Sequence, residues 1–274
     1  MKEWALILGA SSGFGAATAL ELSRSGYNIF GVHLDRQITM PNVNNIIRKI
    51  EHNKQQAVFF NINAADSIKR NEVLDEIKER MHGHERGVVK ILVHSLAFGT
   101  LKPYITKSQN NCISQSQMEM TLDVMAHSLV YWTQGLVFRH LLADGGRIFA
   151  LTSEGAQSVI PFYGAVSAAK AALEAHIRQL AFELAPMHVT ANAIMAGVTD
   201  TPALQKIPGA KRMIEATKLR NPRGRLTHPE DVAIAIKMLC TQAGDWISGN
   251  VIGVDGAERI VNFPGEKGTH HIPE

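Results

Sequence analysis

Near the start of the chain, Gly9-Ala10-Ser11-Ser12-Gly13-Phe14-Gly15 sets three glycines where an apolar run ends and an alanine-rich stretch begins. In that position the spacing can cradle a phosphate. Gly9 permits a tight turn, Gly13 lets the backbone approach a pyrophosphate, and Gly15 allows a helix to pack closely on a strand. The helix that follows offers unpaired N–H groups and a partial positive charge to an anion. A second chemical pair lies far along the chain. Tyr163 and Lys170 are seven positions apart, almost two turns of an α-helix, so they share one face. Residue 166 is a valine and cannot donate a proton.

These groups need a scaffold. Short apolar runs rich in β-formers recur at Ala5 to Leu8, Ile29 to Val32, Ala57 to Phe60, Lys90 to Val93, Arg147 to Leu151, Val189 to Ala193 and Asn250 to Val254. Several are apolar on consecutive residues, as in a parallel sheet covered on both faces. Helical periodicity fills the gaps near residues 13–25, 43–52, 67–81, 115–142, 163–185 and 229–239. The alternation predicts right-handed crossovers and a doubly wound, mostly parallel seven-stranded α/β sheet of Rossmann type with helices on both faces. No repeat or linker divides the chain, so one domain is expected over residues 1–262, with a tail at 263–274. The stretch from Thr199 to Asn221 contains Pro202, Pro208 and Gly209 and is expected to be a long loop acting as a substrate lid.

Composition narrows the partners. The chain has 274 residues, is 45% hydrophobic and 19% charged, and carries a net charge of only +3, which suits a globular protein and argues against nucleic acid or an anionic membrane. Its two cysteines, Cys112 and Cys240, form no disulfide framework, and a reducing cytoplasm is the expected setting. No metal-ligand spacing appears; His82, His84, His270 and His271 read as solvated. The apolar N-terminal run is too short to cross a bilayer.

The spacing Gly-x-x-x-Gly-x-Gly resembles that of the short-chain dehydrogenase/reductase superfamily, and the resemblance runs from Trp4 to about Val261. It implies that Gly9, Ser11, Ser12, Gly13, Phe14 and Gly15 bind the cofactor phosphates. It also implies that the end of the second strand, His33-Leu34-Asp35-Arg36, chooses between NAD and NADP. His33 stands where NAD-preferring members usually carry an acid. Arg36 can neutralise a 2′-phosphate, so NADPH is the expected cofactor; Asp35 could instead grip a 2′-hydroxyl, which leaves NADH open. Asn61 and Ile62 are expected to flank the adenine. Ser95, Leu96 and Ala97 are expected near the cofactor ribose, and Gly197, Val198, Thr199 and Thr201 near the carboxamide and pyrophosphate.

Within the superfamily, Tyr-x6-Lys is similar to the pattern of enoyl-[acyl-carrier-protein] reductases, with the phenol about 4.5 Å further along the helix than the usual Tyr-x3-Lys. His94-Ser95-Leu96-Ala97, Ala196-Gly197, and Met125 in place of the helix asparagine resemble the same family. Ser153 and Val198-Thr199-Asp200-Thr201 resemble its NADPH-using subgroup. The resemblance implies hydride delivery to the β-carbon of an enoyl thioester. Tyr163 would then serve the enolate oxygen, with Ser153 adding a second hydrogen bond. Lys170 would bind the ribose hydroxyls and lower the tyrosine pKa. Fatty-acid synthesis, an acyl-thioester substrate that can ride on acyl carrier protein, and a homotetramer are the matching expectations. A 3-oxoacyl or other carbonyl reductase, and a catalytically silent dinucleotide sensor, are the competing readings. Met120, Met125, Trp132 and Phe138, and the stripe Leu173, Ile177, Leu180 and Leu184, read as core or interface; His94 reads as a packed strand-end histidine.

Overall fold

The first strand explains why the phosphate turn stands where it does. In the computed structural model, which describes residues 1–83 and 86–261, β1 (Lys2–Leu8) is fully buried from Trp4 to Leu8. Trp4, Leu6 and Leu8 enter one core layer and Ala5 and Ile7 the other. Burying a side chain of that size stabilises by about 1.5–3 kcal/mol, so a strand with no exposed apolar face is firmly fixed. Trp4 stacks on Phe30 at 4.0 Å between ring centroids.

β1 pairs with β2 (Asn28–His33) on one side and β4 (Gly87–His94) on the other. With β3 (Ala57–Asn61), β5 (Leu142–Ser153), β6 (Thr190–Ala196) and β7 (Val251–Val254) the order is β3-β2-β1-β4-β5-β6-β7. Every pairing is parallel. The expected doubly wound sheet is therefore present, and all seven predicted strands are in it. One core layer is built by α3 (Ser67–His82), α5 (Ser128–Phe138) and α6 (Gly164–Glu183), and the other by α1 (Gly13–Arg24), α2 (Met40–His52) and α8 (Pro229–Leu239). The chain leaves β1 in one direction and β4 in the other. That reversal opens a crevice at the carboxyl ends of the strands, where ligands of such sheets bind. No described helix is long and apolar enough to cross a membrane. The expected tail, with His84, His270 and His271, lies outside the described residues.

Two expectations are corrected. The single helix expected from Gln115 to Leu142 is α4 (Gln115–Leu122), a π-helical turn (Asp123–His127) and then α5, and Leu142 already begins β5. The reversal uses His140 at φ 57°, and the Leu141 N–H bonds back to the Leu136 carbonyl at 2.9 Å. In the π turn Met125 reaches the central cavity; such turns concentrate at functional sites. Of the apolar residues expected in this stretch, Trp132 and Met125 are core, while Phe138 is exposed. The stretch from Thr199 to Asn221 is largely ordered as α7 (Ala210–Arg220), preceded by a 3-10 turn at Leu204–Lys206. Prolines and a glycine dominate its first half, but after Gly209 (φ 85°) come eleven residues free of glycine and proline, rich in good helix formers.

Candidate active site

The glycine turn has no room for side chains. A Cβ on Gly9 would collide with the Ser95 carbonyl oxygen, and Gly9 holds φ +91°, where an L-residue is strained. A Cβ on Gly15 would collide with the Gly9 carbonyl oxygen. Gly13 (φ +52°) faces Thr201. Ser12 caps α1 through its backbone only, leaving the first-turn N–H groups directed at the turn. Ser11 is fixed from outside by Asn42, whose Nδ2 donates to its carbonyl at 2.7 Å. This cradle fits a dinucleotide phosphate.

At the end of β2 the acid and its neighbours form a small network. His33 is buried, and its Nδ1 lies 2.9 Å from Asp35 Oδ2. The Asp35 N–H donates to Asn61 Oδ1, and Asn61 Nδ2 donates back to the Asp35 carbonyl, both at 2.9 Å. Burial opposes ionisation of the Asp35 carboxyl, but hydrogen bonds with Ser11, Thr39 and His33 outweigh it and hold the group below its ordinary range. A carboxylate thus stands next to the glycine turn, while Arg36 is exposed and makes no ion pair among the described residues. Ile62 packs on the core, and its N–H bonds to the His33 carbonyl at 2.8 Å.

The main cavity collects the other residues. Phe14 enters it from α1, Ser95, Leu96 and Ala97 from beyond β4, and Ser153 from the end of β5. Tyr163 and Lys170 line it from α6, and Gly197, Val198, Thr199 and Thr201 from beyond β6. The remaining predicted residues, Gly9, Ser11, Ser12, Gly13, Gly15, His33, Asp35, Arg36, Asn61 and Ile62, sit at the ends of β1, β2 and β3, outside that cavity wall.

Tyr163 is the residue just before α6 rather than part of its first turn, and its carbonyl accepts the Ser167 N–H at 2.8 Å. Phe162 before it takes φ 66°. The Tyr163 ring lies on Gly155, where a Cβ would stand 2.6 Å from the ring, and Tyr104 lies likewise on Gly164. The Tyr163 hydroxyl is 3.5 Å from Ser153 Oγ. Val166, buried and apolar, holds the position three residues later.

The electrostatics depart from expectation. Burial pushes the Tyr163 phenol above its ordinary pKa, with only the Ser153 hydrogen bond pulling the other way. The lowering expected from Lys170 is not seen, because the ammonium is turned to the strand and donates to the Leu151 carbonyl at 2.6 Å. Burial holds Lys170 down to about 8, opposed by the charge of Glu174. Glu174, buried one turn further along, accepts from Thr152 Oγ1 at 2.7 Å. His94 is the packed histidine expected. Its Nε2 lies 2.8 Å from Ser128 Oγ, and burial, reinforced by the charge of Lys170, lowers its pKa to about 3, so it stays neutral.

Sequence reasoning missed Glu154 and Glu258, which also line this cavity, and Arg220, which joins them. Arg220 at the end of α7 bonds Glu154 at 2.9 Å and Glu258 at 3.2 Å. The position of Glu154, directly after Ser153, was the one signal available.

The family described as enoyl-(acyl carrier protein) reductase matches residues 9–257. The chain belongs to that family. Its fold is the nicotinamide-dinucleotide-binding fold of the short-chain dehydrogenase/reductase oxidoreductases. One enoyl-[acyl-carrier-protein] reductase [NADH], from Aquifex aeolicus, is 32% identical over 183 residues, covering 66% of this chain and 66% of that relative. Versicolorin reductase 1 of Dothistroma septosporum is 25% identical over 264 residues, 92% of this chain and 94% of that one. The crystal structure of the enoyl-[acyl-carrier-protein] reductase (NADH) from Aquifex aeolicus VF5 superposes with a TM-score of 0.81 at 26% identity, covering 96% and 98% of the two chains.

Proposed function

We propose that this member of the enoyl-(acyl carrier protein) reductase family reduces the carbon–carbon double bond of an enoyl thioester. The observation that carries the reading is the pairing of Tyr163 with Ser153 in a cavity where residue 166 is an apolar valine. The phenol therefore sits at the mouth of α6, displaced from the place of the ordinary tyrosine. When hydride goes to a carbonyl, the oxyanion forms on the same carbon. When it goes to the β-carbon of an enoyl thioester, charge appears on an oxygen three bonds away, and a donor set further back serves it.

A bound reduced nicotinamide supplies the hydride. Tyr163, its phenol kept protonated by burial, donates to the enolate oxygen, and Ser153 holds the phenol in line. The Lys170 ammonium, fixed on the Leu151 carbonyl, keeps positive charge beside the ribose site. Leu96, Leu101 and Met125 supply apolar wall that excludes water from the reacting centre.

The geometry favours NADH over the NADPH expected from Arg36. An ionised Asp35 beside Ser11 accepts a ribose hydroxyl and repels a 2′-phosphate, whereas Arg36 points to solvent. An acyl carrier as substrate bearer is supported by charge. Residues 199–225 hold seven Lys and Arg against two acids, although the whole chain has a net charge of +3, so the lid attracts an acidic partner. Exposed Phe138, Phe182 and Tyr131 on α5 and α6 support a homotetramer.

The deciding experiment follows oxidation of NADH or NADPH with crotonyl-thioester and, separately, acetoacetyl-thioester. Turnover of the enoyl substrate is expected. Turnover of the ketone alone would replace this reading with a carbonyl reductase, to which the Ser153–Tyr163 pair also lends itself. Tight cofactor binding with neither turnover would leave a dinucleotide sensor.

A further inference from the structure

Two acids from separate segments of the cavity rim converge on one guanidinium. Arg220, the last residue of α7, donates through Nη2 to Glu154 Oε2 at 2.9 Å and to Glu258 Oε1 at 3.2 Å, with a longer contact from Nη1 to Glu154 Oε1 at 3.5 Å. Glu154 directly follows Ser153 at the end of β5. Glu258 belongs to the 3-10 turn after β7, is 2% exposed, and accepts the Val198 N–H at 3.3 Å. Val198 lies in the loop after β6 that also lines the cavity. Two acids are thus held together at the mouth by a single cation. A buried carboxylate is costly without a partner. Without Arg220, Glu258 would keep only the long Val198 N–H contact and a repelling neighbour in Glu154.

We propose that Arg220 is a positioning residue that seats the lid helix α7 and, through Glu258, the Val198 loop against the strand end bearing Ser153. The inference rests on reading this cavity as the active site. The clamp acts in two directions. Through Glu154 it fixes where α7 lies relative to the catalytic strand. Through Glu258 it holds the backbone of the loop that meets the substrate side of the cofactor site. Arginine suits the task because its planar fork can serve two carboxylates at once, which a lysine ammonium does less well.

The test is amide hydrogen exchange on the purified full chain with saturating NADH, read segment by segment, alongside steady-state kinetics with crotonyl-thioester. In Arg220→Ala, exchange across Ala210–Arg220 and at Val198 is expected to quicken by about tenfold or more, while β1 keeps its protection. Arg220→Lys should fall between that variant and the parent protein. Glu154→Gln should loosen α7 but leave Val198 protected. Combining Arg220→Ala with Glu154→Ala should loosen α7 no further than Arg220→Ala alone, since the two act through one contact. In the kinetics KM should rise more than kcat falls. Unchanged exchange in α7 and at Val198 would overturn the proposal, and so would a loss of protection spread evenly over the sheet. The exchange result does not depend on which substrate is turned over, so it fails or succeeds separately from the enoyl reading.

Discussion

The two halves of the crevice are held by different physics. On the cofactor side, position comes from backbone. Gly9 and Gly15 have no space for a Cβ, β1 is buried on both faces, and the N–H groups of α1 lie where the turn puts them. On the substrate side, position comes from side chains far apart in sequence. Tyr163 rests on Gly155 and meets Ser153, while Arg220 joins Glu154 and Glu258. A backbone device tolerates almost no substitution at its few glycines. A side-chain device can be retuned one residue at a time, which is how one sheet comes to serve different substrates.

The sharpest way to break this contrast is Tyr163→Phe. It should lower kcat by about 10²–10⁴-fold and leave the dissociation constant for NADH, measured by nicotinamide fluorescence, within a factor of two or so. Should cofactor affinity fall with kcat, the halves are not separable. Gly9→Ala should do the reverse. Its Cβ meets the Ser95 carbonyl in a left-handed backbone, so a loss of about 2–4 kcal/mol in chemical denaturation is expected together with weakened cofactor binding.

Lys170 gives a prediction in pH. Its ammonium is held down to about 8, so activity that needs it is full below that value and falls as pH rises through it. Stability should move the other way. The unfolded chain keeps the lysine proton up to about 10.5, so between about 8 and 10.5 the folded form binds fewer protons, and stability gains with pH. Rate profiles and melting temperatures against a Lys170→Met control check both signs; a kcat/KM that climbs through pH 8 would contradict the first. The smallest expected effect is at Asp35. Asp35→Ser should shift the ratio of NADH to NADPH affinity by about tenfold toward NADPH, an energy near 1.4 kcal/mol. No shift would return the choice of cofactor to Arg36.

The same contrast governs what could be read from sequence. The seven strands and the glycine turn are local features, and apolar runs and a spacing of glycines reveal them. Tyr163 and Lys170 were legible because helix geometry links them. The clamp was not, because Arg220 lies 66 residues from Glu154 and 38 from Glu258, and only the sheet order brings them together. The π turn at Asp123–His127 hid inside a continuous helical pattern, since one extra residue in a turn leaves the periodicity nearly intact. The direction of the Tyr163 pKa was misjudged for a related reason. Proximity of charge can be guessed from spacing, but the burial that outweighs it cannot.

Phe162 carries a consequence for anyone engineering heat resistance. A bulky residue at φ 66° costs about 1–2 kcal/mol, and glycine would relieve that cost. But the half-buried ring would be lost and the unfolded chain freed by about 0.5–1 kcal/mol, so Phe162→Gly should not raise the melting temperature. The same freedom would let the neighbouring phenol swing away from Ser153, so relieving the backbone here gives up turnover without a gain in robustness.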